Sequence, residues 1–458
     1  MKVIICGAGQ VGYGIAERLS QEGNDVSVID TSASLISRIT ETLDVRGYVG
    51  HGAHPHMLAK AGADQADMLI AVTLYDEINI VACEVAHALF NVPTKIARIR
   101  AQSYLMPEYS DLFSRDHMPI DVTISPEIEV GKMVLRRIAF PGATDVVRFS
   151  DDNIAMLAIE CMEDCPVLNT PLHQLSQLFP DLMATVTGIY RDGRLRVAHS
   201  DDQLLVGDLA YVICQRDHVR RTLGLFGHEE QEAGRIVIAG GGNIGHYVAR
   251  SIEQIQPRVR IKMIENDRAR AVAISEELRN AIVLHGSALD QNMLHQAGVE
   301  DAELMVTLTN SDQTNILAAA MAKRLGCRST MALLNDPSLQ ELTASIGIDA
   351  HINPRAVTIS RVLQHVRKGR ILSVYAVQKG AAEVIEAEAL ETSPLVGVPF
   401  RELQLPDGIR IGAVYRDKTV LRPNGDLKIK AKDRVVLFAT AAAVRDVEQM
   451  FRVSIQFF

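Results

Sequence analysis

The feature that most constrains this chain is a glycine fingerprint, Gly7-Ala8-Gly9-Gln10-Val11-Gly12, set directly after an apolar run and ahead of a helical stretch. Each glycine has its own task. Gly7 permits the tight turn leaving a strand, Gly9 lets backbone amides approach a pyrophosphate, and Gly12 lets helix and strand pack closely. The helix that follows turns the positive end of its dipole toward the same point. The next strand, Asp25 to Ile29, ends on Asp30, eighteen residues after Gly12. A carboxylate there accepts hydrogen bonds from both ribose hydroxyls of an adenosine and repels a 2′-phosphate, which favours NAD over NADP.

One match to three spaced glycines arises by chance roughly one time in five to ten in a chain of this length. Here the pattern occurs twice: Gly240-Gly241-Gly242-Asn243-Ile244-Gly245 follows the strand-like run Arg235 to Ala239, and Ile261 to Ile264 ends on Glu265, twenty residues after Gly245. Chance does not reproduce strand, turn, helix, strand and acid in the same order twice.

The rest of the chain follows the same plan. Strand-like runs near Arg46 to Val49, Met68 to Val72, Lys95 to Ile99 and Ile120 to Ile124 alternate with helical stretches, which predicts a parallel, doubly wound sheet. Ligands then belong at the carboxyl ends of the strands, at Asp30, Gly52, Thr73 and Arg98. A helix over Glu127 to Ala139 ends at Pro141-Gly142. Beyond it, runs around Ala155 to Ile159, Thr185 to Tyr190 and Ala210 to Cys214 carry no glycine-rich turn and read as a compact α+β module. The stretch Gly227 to Gly234, GHEEQEAG, reads as a linker. From Arg235 the plan repeats at an offset of about 233 to 236 residues. His51-Gly52-Ala53 recurs as His285-Gly286-Ser287, Thr73, Asp76 and Asn79 recur as Thr309, Asp312 and Asn315, and Ile189-Tyr190-Arg191-Asp192 of the small module recurs as Val414-Tyr415-Arg416-Asp417. The expected fold is α/β: two tandem Rossmann-like sheets, each followed by a small α+β module, divided at 1–140, 141–226, 233–368 and 369–458.

Composition narrows the function. A net charge of −9 without a long basic run argues against nucleic acid as a partner, and the absence of tryptophan with only 5% aromatic residues removes a base-stacking platform. No run of eighteen or more apolar residues occurs, and the chain opens on a strand rather than a signal peptide, so a cytoplasmic protein is expected. The six cysteines include no CxxC pair and read as buried free thiols.

Individual residues carry competing readings. Arg98, in Ile96-Ala97-Arg98-Ile99-Arg100, can clamp a phosphate with its guanidinium fork or sit in a surface ion pair. The second half reads Thr330-Met331-Ala332-Leu333-Leu334 at that place and lacks the clamp. Asp76 and Asp312 read as helix N-caps, with Asn79 and Asn315 in the first turn; Thr73 and Thr309, at strand ends, are placed to touch ligand. His51, His54 and His56 could bind metal or line the adenine end of a pocket, and without obvious Asp or Glu partners the second reading is preferred. Neither half offers a general acid or base placed consistently after its glycine turn, so no catalytic residue is assigned.

Several of these features together, namely the paired fingerprints with Asp30 and Glu265, the Gly50-His51-Gly52-Ala53-His54-Pro55 loop, Ala71 to Asn79, Ile96 to Arg100, the repeated small modules and the terminal Phe457-Phe458, resemble the tandem potassium-conductance-regulator (KTN/RCK-type) family of Trk potassium-uptake regulatory proteins. The resemblance covers the full length. It implies a peripheral protein on the cytoplasmic face of the cell membrane, assembled as a homo-oligomeric ring, a tetramer, beneath a membrane potassium translocating subunit of the Trk type, which it gates in response to nucleotide. Carried over by motif, Gly7 to Val11, Asp30, Thr73, Leu74 and Arg98 would bind NAD or NADH in the first unit, and Gly240 to Ile244 with Glu265 in the second, with ATP or ADP as alternative occupants. The competing function is an NAD-dependent oxidoreductase, and a third is a nucleotide-binding scaffold without a transport role.

Overall fold

The computed structural model describes residues 1–230, 232–340, 342–366 and 371–451. Its first strand, β1 (Lys2–Cys6), runs into the glycine turn and α1 (Gln10–Gln21), and then come β2 (Asp25–Asp30), α2 (Ala33–Thr42), β3 (Arg46–Val49), α3 (Pro55–Lys60), β4 (Met68–Ala71), α4 (Asp76–Phe90), β5 (Thr94–Arg98), β6 (Val122–Ile124) and α5 (Pro126–Ala139). The six strands form one parallel sheet in the order β3-β2-β1-β4-β5-β6. Strand order reverses between β1 and β4, which opens a crevice beyond their carboxyl ends. One expected helix does not form. Between β5 and β6 the chain makes only short 3-10 turns, at Gln102–Leu105 and Pro107–Tyr109, because Pro107 and Pro119 interrupt any helical run.

The small module that follows is antiparallel: β7 (Ala143–Phe149), β8 (Ile154–Glu160), α6 (Leu172–Leu178), β9 (Ala184–Arg191), β10 (Arg194–Val197), β11 (Leu209–Gln215) and α7 (Val219–Leu225), with sheet order β10-β9-β11-β8-β7. Strands β7 and β10 escape the apolar-run reading because polar residues interrupt both, as in Arg194-Leu195-Arg196-Val197. The second half repeats this succession. Its parallel sheet uses β12 (Arg235–Ala239), α8 (Asn243–Ile255), β13 (Arg260–Glu265), α9 (Arg268–Glu277), β14 (Ile282–His285), α10 (Gln291–Ala297), β15 (Leu304–Thr307), α11 (Asp312–Leu325), β16 (Ser329–Leu333), the short α12 (Pro337–Gln340) and α13 (Thr343–Ile346), β17 (Ala350–Ile352) and α14 (Pro354–Gln364). Its order, β14-β13-β12-β15-β16-β17, matches the first sheet. Then come β18 (Ile371–Val377), β19 (Ala382–Glu388), β20 (Ile409–Arg416), β21 (Thr419–Leu421), β22 (Arg434–Thr440) and α15 (Val444–Met450), in the order β18-β19-β22-β20-β21. The 368/369 division, residue 231 of the linker stretch and Phe457-Phe458 lie outside the described residues.

In space the four sheets pair by type. Met1–Lys132 and Gly234–Leu363 form one compact unit, and Met133–Ala233 with the described residues from Gln364 onward form another. Within the first unit the two parallel sheets exchange their last helices. A Cβ added at Gly131 on α5 would meet the ring of Tyr247 on α8 at 2.3 Å, and one added at Gly14 on α1 would meet Ile359 of α14 at 2.4 Å. These are the same two positions of the repeat with the large and small partners interchanged: Gly131 corresponds to Ile359, and Gly14 to Tyr247.

In the second unit the two antiparallel sheets bury a shared core that includes Val147, Phe149, Met156 and Ile213 from one module and Val377, Val384, Val436 and Phe438 from the other. Hydrogen bonds tie its edges, from the Ser150 amide and hydroxyl to Glu386 at 3.1 and 2.9 Å, and from Asn153 to the Tyr415 hydroxyl at 3.0 Å. The repeated Tyr-Arg-Asp motif is structural. Arg191 donates from Nε and Nη2 to Asp208, both at 2.6 Å, and Arg416 does the same to Asp433 at 2.8 and 2.6 Å. Both carboxylates are buried and take a further loop amide, Leu205 on Asp208 and Lys430 on Asp433, each at 2.8 Å. Asp192 and Asp417 occupy the hairpin turn, with φ of 50° and 48°.

Candidate functional site

Both glycine turns open on one cavity of about 1100 Å³ in the first unit. Of the residues expected at the site, Gly7, Gly9, Gln10, Val11, Asp30, Gly52, Thr73, Leu74 and Arg98 line it from the first half, and Gly240, Gly242, Asn243, Ile244, Glu265 and Thr309 from the second. Ala8, Gly12 and Gly241 are not part of the lining. The sequence suggested two separate pockets, and the structure merges them.

The glycine geometry explains the turn. Gly7 and Gly240 have φ of +111° and +103°, a conformation that an L side chain resists. A Cβ on Gly12 would lie 1.8 Å from the Gly7 carbonyl oxygen, and one on Gly245 would lie 2.0 Å from that of Gly240. By contrast, nothing stands within 4 Å of a Cβ built on Gly9 or Gly242. These are the N-caps of α1 and α8, and neither helix start has a side-chain cap. Open space, uncapped N–H groups and the helix dipole thus converge at each turn, which suits an anion.

The acids at the ends of β2 and β13 are already engaged. Asp30 accepts from the amides of Ala8 and Ser32 at 2.7 and 2.8 Å, and Glu265 accepts from those of Gly241 and Asp267 at 2.6 and 2.8 Å. Each oxygen keeps a second lone pair for a ribose hydroxyl. Ala8 and Gly241 serve the site through these bonds.

The switch-point residues correct one expectation. Asp76 and Asp312 are not N-caps: Tyr75 and Ser311 hold those positions, and only Ser311 caps with its side chain. Asp76 is buried and accepts from the amides of Arg100 and Ala101, and Asp312 accepts from Asn335 and the Asp336 amide, so each carboxylate staples the loop after the neighbouring strand. Asn79 and Asn315 are fully buried bridges. Asn79 accepts from the Thr73 amide at 2.9 Å and hydroxyl at 2.7 Å and donates to the Arg98 carbonyl at 2.9 Å, and Asn315 repeats this with Thr309 and Leu333. The pairing confirms Leu333 as the counterpart of Arg98.

Arg98 is half-buried and makes no ion pair among the described residues, which removes the surface-pair alternative. Its Nη2 donates to the Thr73 carbonyl at 2.8 Å while Nε is buried without a partner. Burial, with Arg100 nearby, pulls this guanidinium below its ordinary pKa. An orphaned donor on a cation lining the cavity fits a bound phosphate. Of the histidines, His51 lines the cavity, with His54 stacked on it at 4.5 Å and His56 tilted beyond, 5.7 Å from His54. His54 and His56 are not in the lining, so the pocket reading holds for His51 alone. Among the described residues no group of three or more His, Cys, Asp or Glu could hold a metal ion.

Two arginines at the cavity escaped sequence reasoning. Arg270 on α9 donates to the Gly241 carbonyl at 3.0 Å. Arg355 in the first turn of α14 donates from Nη2 to Gln10 of the other half and to the Asn335 carbonyl at 3.0 Å. Only the helix exchange brings Arg355 to a turn 345 residues away. The one signal in the sequence is the alignment of Pro354-Arg355 with Pro126-Glu127.

Two glycine turns facing one crevice, with paired antiparallel modules behind them in the chain, define a tandem dinucleotide-fold protein. The comparisons with known proteins are more particular. The TrkA-N domain model matches residues 3–126 and 236–354, and the TrkA-C domain model matches 384–452. The Trk system potassium uptake protein TrkA of Azorhizobium caulinodans is 57% identical over 458 residues, covering 100% of both chains, and that of Halomonas elongata is 38% identical over 462 residues, again covering 100% of both. The chain belongs to the TrkA family of Trk system potassium uptake proteins. Among solved structures, the GsuK RCK domain (17% identity, TM-score 0.60, 98% of this chain and 94% of that one) and the GsuK channel bound to NAD (18%, 0.60, 98% and 78%) share the fold.

Proposed function

We propose that this chain is an NAD-binding regulatory subunit that gates a membrane potassium translocating subunit of the Trk type in response to nucleotide, without turning the nucleotide over. The observation that carries the reading is the single cavity lined by both glycine turns: a ligand that touches both halves more favourably in one arrangement of them shifts the balance toward it. A tenfold preference for one arrangement shifts its population by about 1.4 kcal/mol, enough for NAD and NADH, or NAD and ATP or ADP, to oppose each other. No chemistry is required for this. Gly7 to Gly12, Asp30, Gly52, Thr73, Leu74 and Arg98 form the first site, Gly240 to Ile244, Glu265 and Thr309 the second, and the four segments 1–140, 141–226, 233–368 and 369–458 are its working parts. No helix among the described residues is long and apolar enough to cross a membrane. In this reading the subunit sits on the cytoplasmic face as a ring, a tetramer, held through its partner.

Titration calorimetry with NAD tests the site. Wild type should bind, and Arg98→Ala should lose roughly 1.5 to 3 kcal/mol, about tenfold to a hundredfold in affinity, at one class of site. Unchanged affinity in Arg98→Ala would remove that residue from the phosphate end. Steady hydride transfer on the order of 1 to 1000 per second with any substrate would favour the oxidoreductase instead.

A further inference from the structure

Resting on the nucleotide reading above, we propose that Arg355, carried by the second half, is a phosphate-binding residue of the first half's site, which makes that site a composite for adenine nucleotides with two or more linked phosphates. Gln10, which accepts from Arg355, is the first residue of α1, and the start of that helix has no side-chain cap. A cation at the positive end of a helix dipole is unfavourable by itself and becomes favourable when an anion lies between them. Across the same turn stands Arg98, with Nε buried and unpartnered. Neither guanidinium has an ion-pair partner among the described residues; Asp336 and Asp312 attract Arg355, and Glu127 and Asp76 attract Arg98, only from beyond contact distance. Two guanidiniums without a carboxylate in contact and an uncapped helix start therefore line one cavity, and a chain of linked phosphates supplies the matching charge.

The repeat supplies an internal control. At the place of Arg355 the first half carries Glu127, and at the place of Arg98 the second half carries Leu333. Glu127 lines the cavity, buried and ion-paired to Arg100 at 2.9 Å. The second turn thus lacks the counterparts of both arginines, and its own cation, Arg270, donates from Nε to the Gly241 carbonyl at 3.0 Å. The two sites differ in the charge they accept, and the first joins the halves through its ligand.

The test is calorimetric titration of the full chain with ADP and, separately, with adenosine. In Arg355→Gln the class of ADP site that Arg98→Ala weakens should lose about tenfold in affinity, adenosine should bind as in wild type, and Arg355→Lys should recover part of the loss by restoring charge without the fork. Equal ADP affinity in wild type and Arg355→Gln overturns the proposal. So does a parallel loss for ADP and adenosine, which would make Arg355 a tie between the halves. Failure of wild type to bind any adenine nucleotide sinks the nucleotide reading itself and this assignment with it.

Discussion

Gly12→Ala should destroy the first glycine turn and leave the second intact. The added methyl would sit 1.8 Å from the Gly7 carbonyl oxygen, and real Cβ atoms do not approach within 3.0 Å. No flexible side chain can yield, because the obstacle is the backbone of the turn. Strand and helix must separate by more than an ångström, at a cost of about 3 kcal/mol or more, and the amides aimed at the anion site move with them. NAD affinity at the first site should fall at least about a hundredfold, since a displaced donor is a lost charge-assisted bond. Gly9→Ala is the matched control. Its Cβ meets nothing within 4 Å, and the Gly9 φ of −64° suits any residue, so thermal stability should be unchanged while a closely approaching ligand is hindered. Equal stability of wild type and Gly12→Ala would show that the turn relaxes in a way its geometry does not suggest.

In the second unit the largest effect is expected from Asp433→Ala. The change strands two donors of Arg416 and the Lys430 amide around a carboxylate that is 2% exposed. Breaking a buried pair from one side costs about 3 to 5 kcal/mol. Calorimetric scanning should show one transition displaced by roughly 6 to 12 °C or more, with NAD binding in the other unit retained. Asp426→Ala removes an ion pair of similar length, Arg401 to Asp426 at 2.7 Å, whose acid side chain is 86% exposed. That pair should contribute under about 1 kcal/mol. Equal shifts in the two variants would contradict the role assigned to the repeated Tyr-Arg-Asp motif.

Legibility in the sequence followed the range of the interactions. The glycine turns were readable because Gly7 and Gly12 answer to a backbone geometry set within six residues, and the alternating sheets because buried parallel strands are short continuous apolar runs. The repeat exposed the duplication of both modules. Asp76 misled because an acid before a helical run looks the same whether it caps its own helix or, as here, takes the amides of Arg100 and Ala101 from a neighbouring loop. The pairing of like sheets and the exchange of α5 and α14 had no local trace. Gly14 and Gly131 look like ordinary helix glycines until Ile359 and Tyr247 are set against them, and Arg355 looks like a surface residue until it meets Gln10. Linker and helix exit say that four segments alternate; which of them associate is decided by shape complementarity between surfaces hundreds of residues apart.

Nucleotide in the shared cavity is expected to control potassium movement. Potassium flux into vesicles carrying a Trk-type translocating subunit, with the purified chain added and NAD, NADH, ATP or ADP supplied on its side of the membrane, decides this. The chain should sediment with vesicles that contain the translocating subunit, flux should change with the nucleotide supplied, and Arg98→Ala should blunt that change while still sedimenting. Flux that is the same with every nucleotide, or a chain that stays in the supernatant, would contradict the account and leave a nucleotide-binding scaffold without a transport role.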